Sequence, residues 1–343
     1  HWSRFTNNMP AVAVHYLELD KKSNSLVMAT HGRGIIILDH TDVLSELTPK
    51  AMQAAVYFFP TRPFVMSEKS SFGGTSTEHQ FVGANPSDNA RISYLLPKRH
   101  TFGKMSMEVL DEKGQFVAKL EPGKQKGINT VEWGFNSRAP KSAKGKTLAG
   151  GALFAPRVNA GTYTVKLTKG NETFETKIVA QYDPQSPFTL KEREQQQQVT
   201  QELFDFTQDL AYFVYQLDQY DAAIESYQKT LSKPSKYLVQ LNAGIDAIRD
   251  ECVVTKGDNY VGTGEPRLRE KLGDIYSTIG GYYGAPSSSQ LENVAALRTT
   301  YAAQQAAFDK LKKGDLKKFE AELAKGGKPA VVIATKEDFL KED

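Results

Sequence analysis

Between Ser25 and Asp39 the chain reads SLVMATHGRGIIILD, which sets an imidazole, His31, and a guanidinium, Arg33, on either side of Gly32. Gly32 and Gly34 can take the φ > 0 geometry of a tight inter-strand connection, so both side chains project from one turn. They are the candidate binding contact of this sequence. The competing assignment is structural: the glycines set the backbone, and His31 and Arg33 bond neighbouring sheet. That reading carries more weight. His15 and His31 have no third His or Cys nearby, so no metal site is expected. No Walker loop, dinucleotide fingerprint or HExxH pattern occurs, and no cofactor is expected.

The turn requires strands on both sides. Ala11 to Asp20 is a further strand candidate, ended by the polar residues Lys21 to Asn24. These runs read as the end of a β-propeller, and one blade cannot bury both of its faces alone. The expected partners are the remaining blades, in the same protein or a companion chain. A helical-looking stretch, Thr41 to Ala55, and Val56 to Pro60 complete this first region, residues 1–66. Residues 67–90 are rich in Ser, Gly, Asn and Thr and read as a linker.

Strand candidates then recur at Arg91–Leu96, Met105–Leu110, Phe116–Leu120, Thr130–Phe135, Tyr163–Thr168 and Thr173–Ala180, with hairpin chemistry at Asp111–Gly114 and Lys169–Asn171. Residues 91–184 are therefore expected to form an immunoglobulin-like β-sandwich, with Trp133 as a core anchor. From Thr189 the period changes to 3.6. Thr189 and Glu192 make a capping box, and Leu203, Phe206, Leu210, Phe213, Leu217 and Tyr220 form one apolar stripe. Pro234 fits a break before a stripe of Leu238, Leu241, Ile245, Ile248 and Cys252, where Cys252 is a buried hydrophobe rather than a reactive thiol. Leu268, Leu272, Ile275 and Ile279 mark a third helix. A fourth is expected from a Ser289–Glu292 capping box to Gly314–Asp315, with a short helix, Leu316 to Lys325, beyond it. An antiparallel α-helical bundle over 185–325 follows, with 326–343 as a C-terminal tail.

Across 343 residues the net charge is +3, which argues against a nucleic-acid partner. No apolar run reaches the roughly 20 residues of a transmembrane segment. Asn136 to Gly161 carries Arg138, Lys141, Lys144, Lys146 and Arg157 without an acidic residue, and reads as a solvated inter-strand loop.

The order of these segments resembles the C-terminal part of bacterial sortilin-like propeller proteins, often described as BNR-repeat glycosyl hydrolases. The residues that carry the resemblance are His31 to Gly34, Gly83 to Pro86, and Pro156 to Tyr163 with Gly161-Thr162-Tyr163. The sandwich also resembles the immunoglobulin-like module of flagellar hook-capping proteins. The resemblance implies an extracytoplasmic location: periplasmic, outer-membrane associated or secreted. Sialidase chemistry needs an arginine cluster, a Tyr nucleophile and an acid/base group, and ordinary glycosidases need two facing carboxylates. The first region offers only Arg4, Arg33, Glu18, Asp20 and Asp39 with His15 and His31, so no catalytic residue is assigned. The expected function is a structural and interaction module of a large extracytoplasmic propeller protein. The alternatives are part of a glycoside hydrolase whose catalytic residues lie in other blades, and a subunit of an envelope transport or secretion complex.

Overall fold

The computed structural model describes residues 8–21, 23–68, 87–148, 150–233, 235–256 and 265–341. The linker expected at 67–90 falls largely outside them, as do Arg4, Gly83 to Pro86 and Pro234. The fold is multidomain β plus α. The chain divides into two compact units, one made of residues 1–65, 84–134 and 161–181, the other of 66–83, 135–160 and 182–343.

In the first unit, β1 (Val14–Asp20), β2 (Ser25–Thr30) and β3 (Ile35–Leu38) form an antiparallel sheet in that order. The expected helix over Thr41 to Ala55 is two short ones, α1 (Asp42–Ser45) and α2 (Pro49–Gln53), the second capped by Thr48 with Pro49 in its first turn. The strands that follow are β4 (Tyr57–Phe58), β5 (Phe64–Met66), β6 (Ala90–Leu96), β7 (Met105–Leu110), β8 (Phe116–Leu120), β9 (Gly127–Trp133), β10 (Gly161–Lys169) and β11 (Glu172–Tyr182). They make one sheet in the order β5-β11-β10-β7-β8 and another in the order β4-β6-β9.

Alternation explains the sandwich. Met105, Met107 and Val109 of β7 and Tyr163, Val165 and Leu167 of β10 point inward while their neighbours stay partly exposed. Trp133 is buried and meets the Tyr163 ring edge-on at 5.1 Å, as a core anchor does. Strand β6 is instead buried on both faces: Leu95 joins Ala51 of α2 and Phe59 in a small second core, and the buried Ser93 hydroxyl bonds Thr130 at 3.1 Å.

The second unit is built on α3 (Leu190–Gln228), α4 (Lys236–Cys252), α5 (Leu268–Gly280), α6 (Ser288–Leu311), α7 (Lys317–Lys325) and α8 (Lys336–Lys341). The stripes on α3, α4 and α5 are buried at the positions that the 3.6 period marks, Cys252 among them. Burial pushes the Cys252 thiol up to about 12. Thr189 and Glu192 form their capping box. Two expectations need correction. The box of α6 is Ser287 with Gln290, two residues before the Ser289–Glu292 pair. Gly314 and Asp315 do not end a helix; they lie in a π-helical turn, Lys312–Leu316, that runs on into α7.

A larger correction concerns residues 136–160, which are not a solvated loop. The segment belongs with the helices, and its base is pinched by backbone bonds from Val158 N to Phe135 O at 2.8 Å and from Ser137 N to Pro156 O at 2.8 Å. Arg269 of α5, 3 % exposed, donates to Ala143 O and Thr147 O, both at 2.9 Å, and to the Thr147 hydroxyl at 2.6 Å. Gly151 and Gly273 let the segment touch α5 directly: a Cβ on Gly273 would stand 2.6 Å from Ala152 N. The cations find partners too, Arg138 over the Phe204 ring and Lys141 over the Phe339 ring. This segment is a strap bound to the helices, with Arg138, Lys141 and Arg157 set against aromatic rings while Lys144 and Lys146 stay exposed.

Candidate functional site

The candidate turn forms as the two glycines demand. Gly32 has φ 79° and Gly34 φ 70°, Thr30 N donates to Gly34 O at 3.1 Å, and the Thr30 hydroxyl donates to the same oxygen at 2.6 Å. His31 N donates to Ala13 O at 2.9 Å, which brings the imidazole over His15, rings 5.2 Å apart and 23° from parallel. Arg33 is exposed on the same turn. The stacked imidazoles and the guanidinium share one exposed tip.

The carboxylates of the first region do not converge on that tip. Glu18 accepts from the Tyr16 phenol at 3.1 Å, Asp39 from the Ser25 hydroxyl at 2.6 Å, and Asp20 from Ser23 N at 3.3 Å within its own turn. Each is used where it stands, so no facing acid/base pair arises among them.

A cleft of about 630 Å³ in the first unit gathers side chains that no local motif signals: Asp39, His40, Asp42, Arg62, Arg91 and Glu132. His40 adopts φ 58°, and Arg62 reaches Asn24 Oδ1 at 3.1 Å. Glu132 accepts from the Ser87 hydroxyl at 2.7 Å and the Asn89 amide at 3.1 Å, with Arg91 at 3.8 Å. Those bonds hold its carboxyl below the usual range, whereas burial, helped by Arg91, pushes the His40 imidazole down. At neutral pH the site therefore carries an ionised Glu132 and a neutral His40. Ser87 donates to a carboxylate rather than to an imidazole, so the arrangement is not that of an activated nucleophile. One oxygen of Asp42 is buried without a hydrogen-bond partner among the described residues. The cleft offers polar contacts of both signs, and its members lie too far apart in sequence for spacing to reveal them.

Beside the cleft runs an apolar groove of about 880 Å³, lined by Leu17, Leu19, Leu26, Met28 and Leu38 of the three-stranded sheet and by Val43 and Phe59. The register puts Leu17, Met28 and Ile36 abreast on this face, and Glu18, Val27 and Ile37 abreast on the other. Both faces keep large apolar side chains in water: Leu17 is 56 % exposed on one, Ile35 69 % and Ile37 59 % on the other.

In the second unit Arg193, Glu68, Tyr182 and Tyr283 look like a site but form a closed clamp. Arg193 is ion-paired with Glu68, donates to the Ser186 hydroxyl at 2.6 Å and lies 4.2 Å from the centre of the Tyr182 ring. The void there is about 20 Å³, room for a water and nothing larger.

No family model matches the chain, and no curated protein matches it. Among solved structures it is similar to CopC from Methylosinus trichosporium OB3b, at 18% identity over 32% of this chain and 86% of that one, with a TM-score of 0.18. It is also similar to PorZ of Porphyromonas gingivalis, a bacterial surface component of the type-IX secretion system, at 11% identity over 50% of this chain and 23% of that one, again with a TM-score of 0.18. Likenesses of that size carry no argument about fold or function. Among the described residues no helix is long and apolar enough to cross a membrane, and no group of His, Cys, Asp and Glu could hold a metal ion.

Proposed function

We propose that this chain is a structural and interaction module of an extracytoplasmic propeller protein, with no active site of its own. Sheet β1-β2-β3 is the last part of the propeller, and its faces are covered by other blades. The observation that carries this reading is the pair of apolar faces. A sheet becomes stable by burying a face against another layer, and large apolar patches left in water mark an interaction surface. Leu17 and Leu19 stand 56 % and 48 % exposed on one face, Tyr16, Ile35 and Ile37 64 %, 69 % and 59 % on the other. A polar outer face, the usual device of an end unit, is missing.

The occupied carboxylates support the same reading. With Glu18, Asp39 and Glu132 each satisfied by a neighbouring donor, His31, Arg33 and His15 serve as contacts to an adjoining blade.

The test is association in trans with separately produced neighbouring blades, followed by calorimetry. Binding is expected for the wild type and is expected to vanish in a Leu17→Asp, Ile37→Asp double variant. Two results would overturn the proposal. One is wild-type affinity in that variant. The other is turnover of a glycan or peptide panel by the chain alone, abolished by one side-chain change.

A further inference from the structure

One end of the sandwich carries an unusual pairing of an exposed aromatic with unpaired cations. Phe102, in the loop between β6 and β7, is 88 % exposed, the most exposed large apolar side chain among the described residues. Around it the same loop supplies Lys98, Arg99 and Lys104, the β8–β9 loop Lys124 and Lys126, and the last residue of β10 is Lys169. None of these cations has an ion pair among the described residues. The carboxylates at this end are Glu121, 3.9 Å from Lys119, and Glu172, the strand partner of Lys169.

The loops are fixed to one another. His100 N donates to Lys124 O at 2.9 Å and Gly170 N to Lys104 O at 2.9 Å, while the His100 ring sits 3.1 Å from Gly103 O. Gly103, at φ 89°, makes the bend that turns Phe102 outward. Beneath, the Tyr94 phenol donates to Gly123 O at 2.6 Å, and the buried Asn129 side chain bonds Gln125 N and O at 3.0 and 2.8 Å. A ring held in water on a rigid bend is presented, not merely loose.

We propose that this end of the sandwich docks on an anionic lipid surface, Phe102 entering among the acyl chains while Lys98, Arg99, Lys104, Lys124, Lys126 and Lys169 meet headgroup phosphates. Stable attachment of a protein without a spanning helix takes an apolar anchor and a basic patch together, and both are present here. A lone apolar tip ringed by long, mobile cations suits a fluid anionic surface. A protein partner would call for a broader packed apolar centre.

The experiment is flotation of the full chain with phosphatidylcholine vesicles and with vesicles that also contain phosphatidylglycerol. Binding is expected only to the anionic vesicles and is expected to fall as salt rises. Phe102→Ser is expected to weaken it about tenfold. Replacing Lys98, Arg99, Lys124 and Lys126 by Glu is expected to abolish it, since each cation near such a surface contributes about fivefold. In Phe102→Trp, brominated acyl chains are expected to quench the new fluorescence beyond that of the wild type. All these side chains are exposed, so unchanged melting curves keep the comparison interpretable. Equal binding to neutral vesicles, no vesicle binding, wild-type affinity in Phe102→Ser, or an unquenched Phe102→Trp would each overturn the proposal. Retention on polyglutamate without vesicle binding would do the same, and would point to an acidic polypeptide instead.

Discussion

The strap over residues 136–160 and the three-stranded sheet over residues 14–38 invert what their compositions suggest. The strap is basic and glycine-rich, yet it is bound through Arg269, the Phe204 and Phe339 rings and the Gly151–Gly273 contact. The sheet is rich in Leu and Ile, yet it keeps Leu17, Ile35 and Ile37 more than half exposed. Burial is decided by whether a complementary surface lies within the same unit. In the strap, the hydrogen-bonding capacity of a buried guanidinium supplies it; among the described residues no such layer covers Ile35 and Ile37, 69 % and 59 % exposed.

The sharpest way to break this contrast is to remove the clamp. Arg269→Ala leaves Ala143 O and Thr147 O without their donor, and is expected to destabilise the helical unit by about 3 kcal/mol in chemical denaturation followed by far-UV circular dichroism. Gly273→Ala is expected to cost about 2 kcal/mol, because its methyl would press on the Ala152 backbone. On the other side of the comparison, Ile37→Asn is expected to change the stability of the chain by no more than about 0.5 kcal/mol, since the side chain is 59 % exposed.

The smallest expected effect is a pH dependence. The His40 imidazole is held below its ordinary value in the folded chain, so the unfolded chain takes up the proton first as pH falls. Its contribution is thus favourable above the unfolded value near 6.5 and declines as pH drops through that value toward the folded one. His40→Asn tolerates φ 58° and is expected to flatten the pH dependence of melting between neutral and mildly acidic buffer.

The regular elements were legible because their signals are local. Strands β7 and β8 have the ends that alternation and turn chemistry give them, and α4 buries the residues of its stripe. The Ser287 box was obscured by degeneracy: Ser287 with Gln290 and Ser289 with Glu292 offer the same pattern, and Ser287 is the residue with extended cap geometry. Gly314 misled because glycine usually stops a helix. Here a π turn absorbs the five-residue step from Leu311 to Leu316, keeping Phe308, Leu316 and Phe319 on the buried side. Neither the strap nor the His40–Arg91–Glu132 cleft has a local signal, since both depend on residues brought together from distant stretches of chain. The His31–Arg33 turn was visible from its glycines, but its stacking on His15 follows from the Ala13 backbone contact, which spacing does not encode.

The central claim is that the three-stranded sheet is covered by neighbouring blades, and hydrogen exchange over residues 14–38 tests it most directly. In the chain alone, β1 and β3 are expected to exchange fast and to slow markedly when the neighbouring propeller blades are joined or added. Exchange rates that stay the same in the presence of those blades would contradict the account.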